Sequence, residues 1–279
     1  MLPELSIEAG LYYERTEDGS ATPYFSSREF DIERVHPRAG LIFQPSRDHT
    51  FRLGYARYIM NPFLAAWELR PSDMAGFTIG QDAFNSALQE DLSLAWEGHL
   101  SRPVFLRAEI FKSKRTEQLE DPLLRGFSSS KRDFYGGRLD ANIMILDYFG
   151  FTPGYRYLRS KDHELTWTHS FYPERWREDH ELQMGFHFLH PTGWKASFIA
   201  TYVKQFLRGF QQEAPGDFWF LSLAVQKELW NKQLTIGGSV DNLLDQRFNL
   251  VTDVLTGGER REPARRFVFL QSTISSSNH

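Results

Sequence analysis

The feature that most constrains this chain is a two-residue alternation of apolar and polar side chains, sustained over segments of about ten residues. In the first, Leu5, Ile7, Ala9 and Leu11 interleave with Ser6, Glu8 and Gly10. Successive side chains of an extended strand point to opposite faces, so such a segment has one apolar and one polar face. The pattern returns with Ala39, Leu41 and Phe43 against Arg38 and Gly40, and with Phe51, Leu53 and Tyr55 against Arg52 and Gly54. It continues with Leu92, Leu94 and Trp96 against Ser93 and Glu97, then over 104–110, 138–143, 149–157, 182–188, 194–202, 219–226 and 234–241. A last run, over about 266–275, has an unsettled parity. Together these predict about twelve strands, each long enough to cross a bilayer when tilted.

The connections alternate as regularly as the side chains. Short ones rich in Pro, Asp, Asn and Gly fall at 44–48, 98–102, 146–148, 190–193 and 230–232, and read as hairpin turns. Long ones fall at 16–34, 60–87, 114–130, 160–179, 206–217 and 242–263. Tight turns therefore collect at one end and long loops at the other. The expected fold is all-β, an antiparallel transmembrane β-barrel with short periplasmic turns and long extracellular loops.

A soluble β-sandwich also alternates, but three features oppose it. The strands exceed the usual soluble length of about 5–6 residues. The polar face is rich in Gly, Ala and Ser, which suits a lumen better than a solvated exterior. The aromatics also sort by height. With the short turns at the bottom, Trp96, Phe149, Phe151, Trp194 and Trp230 lie low, whereas Tyr12, Tyr13, Tyr55, Tyr58, Tyr155, Tyr157, Tyr202 and Trp219 lie high. Two belts are what two membrane interfaces produce.

Composition narrows the function classes. Aromatic residues make up 15% of the chain, enough apolar bulk to argue against disorder. A net charge of −4 offers no basic footprint, so nucleic acid is not expected as a partner. The absence of cysteine excludes disulfides, thiolate metal sites and cysteine nucleophiles. No Gly-x-Ser-x-Gly, phosphate-binding glycine loop or His-Glu-x-x-His is present, so no catalytic residue, metal site or cofactor is assigned. The pairs His163-Glu164 and His180-Glu181 lack a second His four residues on. The residues expected here are those of a non-enzyme, with an outer-membrane lipase as a remote alternative.

Three stretches carry a family resemblance. The segment Val240-Asp241-Asn242-Leu243-Leu244-Asp245-Gln246-Arg247-Phe248 resembles the penultimate strand of TonB-dependent receptors, which ends in an Asn-Leu-aromatic-Asp-like box. The run Arg261 to Leu270 resembles their final strand. The pair formed by His36 to Pro45 and Thr50 to Tyr55 resembles a mid-barrel hairpin of the same family. The resemblance implies the bacterial outer membrane as location and outer-membrane lipid as surroundings. It also implies uptake of a small molecule or chelate, driven by a TonB energising complex through a region missing from this chain. Receptors of that family have more strands and a plug domain, which has no counterpart here.

The segment Asn61 to Phe77 also resembles plugless outer-membrane barrels that carry a tetratricopeptide region, giving the alternative of a porin or a secretion or anchoring barrel. Met1-Leu2-Pro3-Glu4 is followed at once by the first strand. The expectation is therefore one barrel domain over 1–279 that is the carboxyl-terminal portion of a larger barrel.

Candidate site residues fall into two groups. The polar face holds Arg38, Arg52, Arg107, Arg138 and Arg156 with Glu97, Glu109 and Asp140, and with Glu8. Mixed signs on adjacent strands suit cross-strand ion pairs, and a charged lumen that selects solutes is the functional alternative. Trp167, Tyr172 and Trp176 lie in a predicted extracellular loop and are candidates for ligand contact there. Phe63, Leu64 and Trp67 are too apolar to be freely solvated, so the long loop 60–87 is expected to pack on its neighbours or to fold into the lumen.

Overall fold

The computed structural model describes residues 4–18, 30–60, 72–79, 87–121, 126–163, 175–208, 217–230, 233–246, 250–251, 260–261 and 267–274. The strands in chain order are β1 (Glu4–Asp18), β2 (Phe30–Ser46), β3 (His49–Met60), β4 (Ser72–Met74), β5 (Phe77–Ile79), β6 (Ala87–Ser101), β7 (Val104–Asp121) and β8 (Gly126–Leu146). They continue with β9 (Phe149–Asp162), β10 (Arg175–Leu189), β11 (Trp194–Arg208), β12 (Phe218–Leu229), β13 (Leu234–Asp241), β14 (Leu250–Val251), β15 (Arg260–Arg261) and β16 (Phe267–Ile274). Twelve of them form one sheet in sequential order, with β4–β5 and β14–β15 as separate two-stranded ribbons. The chain thus has the all-β, antiparallel architecture of an outer-membrane β-barrel, as the alternation predicts.

Ten of the twelve sheet strands outrun the predicted ten residues, and β13 and β16 have eight each. The connection expected at 114–130 is mostly ladder, because β7 continues to Asp121 and β8 begins at Gly126. Backbone pairing satisfies N–H and C=O groups wherever two strands lie side by side, so the ladder need not stop where the apolar side chains do.

The exposed surface explains the composition. Ile7 is 71% exposed, Leu11 79% and Leu270 87%, and each belongs to the apolar face of its strand. Apolar side chains in such number, turned outward on one face, call for a solvent of hydrocarbon, since soluble monomers seldom expose contiguous patches of this kind. The register settles the last strand. Gly238 lies opposite Leu270 and Val240 opposite Val268, so Leu270 and Val268 share the apolar face of β13.

The chain divides into two compact units. The first contains β1–β5 with residues 87–95 of β6, 111–121 of β7 and 126–133 of β8. There Gly40 lies opposite both Glu8 and Gly54, which fixes Glu8, Gly40 and Gly54 in one row across the polar face. Two tyrosines expected in the upper aromatic belt belong to that polar face instead. Tyr12 pairs with His36, its ring stacks on the imidazole at 6.3 Å, and the Arg38 guanidinium lies over it at 5.3 Å. Tyr58 is 3% exposed and donates to Asp91 Oδ2 at 2.6 Å. A hydroxyl removed from water needs a partner, and the Asp91 carboxylate supplies it.

The second unit contains the remainder of β6–β8 and all of β9–β16. Its apolar face is tiled by cross-strand rows. Phe151, Phe186 and Phe198 form one row over β9, β10 and β11, with neighbouring ring centroids 4.8 and 6.5 Å apart. Phe149 and Phe188 start the row below, at 4.9 Å. At the short-turn end, the Lys227 ammonium lies 5.0 Å from the Trp194 ring and donates to the Thr192 carbonyl. This is the low aromatic belt that the sequence predicts.

Candidate functional site: the charged inner face and its docked hairpin

In the first unit a piece of the longest connection returns to the sheet. Residues Ser72–Ile79 form a tight hairpin whose turn is Ala75-Gly76, between the pair Met74 and Phe77. Both turn residues have positive φ, 50° and 79°, as a two-residue turn matched to strand twist requires. Asn-Gly is the usual solution, and Ala at the first position costs of order 1 kcal/mol. Its surroundings account for the choice. Ala75 is 1% exposed, its N–H donates to Glu8 Oε2 at 2.7 Å, and its carbonyl accepts from Arg52 Nη1 at 3.3 Å.

Two glycines make the seat. A Cβ built on Gly40 would lie 2.8 Å from Ala75 Cβ, and one on Gly54 would lie 2.6 Å from the Phe77 ring. Any larger residue at either position would push the hairpin off the wall. Of the two packings expected for loop 60–87, this part of it lies against the polar face of β1–β3. Phe63, Leu64 and Trp67 lie outside the described residues.

In the second unit the predicted charges assemble into a cluster. Arg107 lies between two carboxylates, with Glu109 Oε2 at 3.0 Å and Glu97 Oε1 at 3.7 Å. Arg138 Nε meets Asp140 Oδ2 at 2.7 Å. Glu97, Arg107, Arg138 and Asp140 border a concavity of about 480 Å³ whose far wall is Thr152, Gly154 and Gln183. A side chain at Gly154 would meet Asp140 Oδ1, so glycine keeps the concavity open. Arg156 lies opposite Glu181 in the register. Higher on the same face a second cluster, which sequence reasoning passed over, joins Arg177 to Asp179 at 2.9 Å and Asp179 to Gln205 at 2.8 Å. Its signal was present, since Arg177 and Asp179 are two apart and Gln205 shares their face. Of these ion pairs Arg107–Glu97 runs between strands as expected from mixed signs, whereas Arg107–Glu109, Arg138–Asp140 and Arg177–Asp179 each join residues two apart on one strand, so the polar face is charged and paired largely along its strands.

The loop candidates divide. Trp167 and Tyr172 lie outside the described residues. Trp176 is in β10, with the Arg159 guanidinium 5.6 Å from its ring centroid. The Asn-Leu-Leu-Asp stretch has a structural role that is legible in its bonds. Asn242 is 2% exposed and has φ 53°, and its side chain exchanges two hydrogen bonds with the Gln246 backbone, at 3.0 and 3.2 Å. It thereby closes the turn that follows β13.

A sheet of this kind, apolar on one face and charged on the other, has the architecture of the wall of an outer-membrane β-barrel. No family model matches the sequence, and no curated protein matches it. Solved structures do match in fold. The FrpB iron transporter from Neisseria meningitidis aligns with a TM-score of 0.65 at 12% identity, over 96% of this chain and 42% of that one. The ferric-catecholate import receptor Fiu from E. coli K12 aligns at 0.56 and 14%, over 96% and 42%. The copper transporter OprC aligns at 0.55 and 12%, over 86% and 40%. The chain thus spans about two fifths of the length of these proteins.

Proposed function

We propose that this chain forms part of an outer-membrane barrel for uptake of a small solute, of the TonB-dependent receptor type. The observation that carries the proposal is the joint presence of a lipid-facing wall and a charged inner face in a fold shared with transporters of iron, copper and ferric catecholate. Outward apolar side chains hold the wall in the bilayer, and inward charges offer a polar route through it. In the first unit the hairpin Ser72–Ile79 covers part of the polar face of β1–β3. In the second unit the Arg107 and Arg138 clusters offer charge to solutes along the polar face. A metal chelate is the substrate class that the fold neighbours support best, and it enters as cargo. An energising complex of the TonB type would act through sequence beyond this chain, and the larger protein is the form that transports.

The test is reconstitution into proteoliposomes with paired assays of solute flux and lipid hydrolysis. Passage of ferric chelates or small ions supports transport. Release of fatty acid from phospholipid, with no flux, would replace it with an enzymatic reading.

A further inference from the structure

Above its phenylalanine rows, the outer face of β9–β11 changes character within one residue pair. The row of Tyr155, Leu182 and Tyr202 is still apolar, with hydroxyls at its rim. The next row pairs His180 with Tyr157 on one side and Lys204 on the other. Glu178 follows between Arg159 and Phe206, and Trp176 then lies between Lys161 and Arg208. All of these alternate in step with Phe151, Phe186 and Phe198, so they share the face that is turned to lipid.

Height places them at a boundary. Arg159 is about ten residues above Phe149, and Lys204 the same distance above Trp194. Ten tilted residues climb roughly 25 Å, the height of the apolar band of an outer-membrane barrel. The basic groups therefore stand where hydrocarbon gives way to headgroups on the long-loop side.

The two nearby carboxylates are already engaged by tyrosines. Tyr157 donates to Glu178 Oε1 at 2.5 Å, and Tyr202 donates to Asp217 Oδ2 at 2.6 Å. Two of the basic groups are held over rings, Arg159 above Trp176 at 5.6 Å and Lys204 above Phe206 at 5.0 Å. Arg159, Lys204 and Arg208 are all exposed. Ring stacking fixes a cation without neutralising it, and although Arg159 also meets the Tyr157 hydroxyl and Lys204 is attracted to Asp217, the three cations Arg159, Lys204 and Arg208 outnumber the carboxylates Glu178 and Asp217.

We propose that this patch binds the phosphorylated headgroup of an outer-leaflet lipid, with Arg159, Lys204 and Arg208 contacting phosphate and Trp176 and Phe206 packing against the upper acyl chain or sugar. Anionic headgroups are attracted to basic clusters at this depth, and the aromatic rings favour the same interfacial level. The proposal rests on the membrane orientation of the sheet and is independent of the transport reading.

The test uses the 279-residue chain refolded in zwitterionic detergent micelles, with lipid A as the probe and native mass spectrometry as the readout. The expected result is retention of lipid A over phosphatidylcholine, and loss of that preference for lipid A stripped of its phosphates. The double variant R159Q/K204Q is expected to weaken retention about thirtyfold, as two basic groups near an anionic surface imply. K227Q removes a cation at the opposite end of the outer face and is expected to change nothing. Circular dichroism of each variant separates lost binding from lost folding, and the comparison of phosphorylated with dephosphorylated lipid A needs no variant. Equal retention of the two lipid A forms would overturn the proposal. So would full displacement of lipid A by millimolar inorganic phosphate, which would mark a free-anion site.

Discussion

Replacing Glu8 by alanine is expected to release the hairpin Ser72–Ile79 from the inner wall while leaving the wall itself intact. Glu8 reaches the hairpin through one short, charge-assisted bond to the Ala75 N–H, at 2.7 Å. Bonds of that class contribute about 1.5–3 kcal/mol. The second bond, from Arg52 to the Ala75 carbonyl, is longer at 3.3 Å and remains in the variant. Loss of the first alone should multiply the undocked population about 10- to 150-fold, at 1.4 kcal/mol per factor of ten. Hydrogen exchange of the segment 72–79 reads that population, because the Ala75 amide exchanges only when the hairpin lifts. The expected outcome is acceleration by that factor in Glu8→Ala, with amides of β2 and β3 unaffected. A Gly40→Val variant offers an independent route to the same state. Its Cβ would fall 2.8 Å from Ala75 Cβ, an atom next to the backbone that cannot swing aside. The reasoning is refuted if the wild-type segment already exchanges at the unprotected rate, or if both variants leave its protection unchanged.

Other consequences can be checked separately. Arg107→Ala leaves Glu97 and Glu109 facing each other without their shared cation, and is expected to cost about 0.5–1.5 kcal/mol given its partial exposure. Urea melts would show that loss, and reversal potentials in planar bilayers would shift toward cation preference. Spin labels at Leu221, Leu223 and Val225 are expected to be accessible to oxygen from lipid, and labels at Ser222, Ala224 and Gln226 to be shielded; the opposite pattern would invert the faces of β12. Asn242→Ala removes both bonds to Gln246 at a residue with positive φ, and is expected to destabilise by about 1–2 kcal/mol in the same melts, whereas Asn242→Gly loses less. Asp217 is held below the usual carboxylate range by the hydroxyl of Tyr202. A depressed value means that its contribution is complete above about 3.9 and fades only as the pH falls through the lower folded value. Carboxyl NMR should show a midpoint below that of a free aspartate, returning upward in Tyr202→Phe.

The sequence by itself determined the twelve strands of the sheet, their two faces and the end at which the turns are short, though not the ribbons β4–β5 and β14–β15. Alternation is a local property: a residue's face follows from the parity of its neighbours, so Leu223 and Val225 could be assigned to lipid without knowing any partner strand. It also determined that Arg107, Glu97, Glu109, Arg138 and Asp140 share the polar side, because charge and parity are both written in the chain. Parity already put Tyr12 in step with Glu8 and Gly10, and Tyr58 in step with Arg52 and Gly54; the belt was read from ring type and height instead, and the pairing of Tyr12 with His36 and the bond of Tyr58 to Asp91 agree with parity. Only tertiary structure decided which polar groups meet. Glu8 and Ala75 are 67 residues apart, and nothing near either one marks the other. The seat exists because Gly40 and Gly54 lie in line with Glu8 once β1, β2 and β3 pair in one register. The basic rows on β9–β11 arose in the same way. Arg159, Lys204 and Arg208 carry no mark in the sequence, and they converge on Trp176 because antiparallel pairing lays residues of distant number side by side.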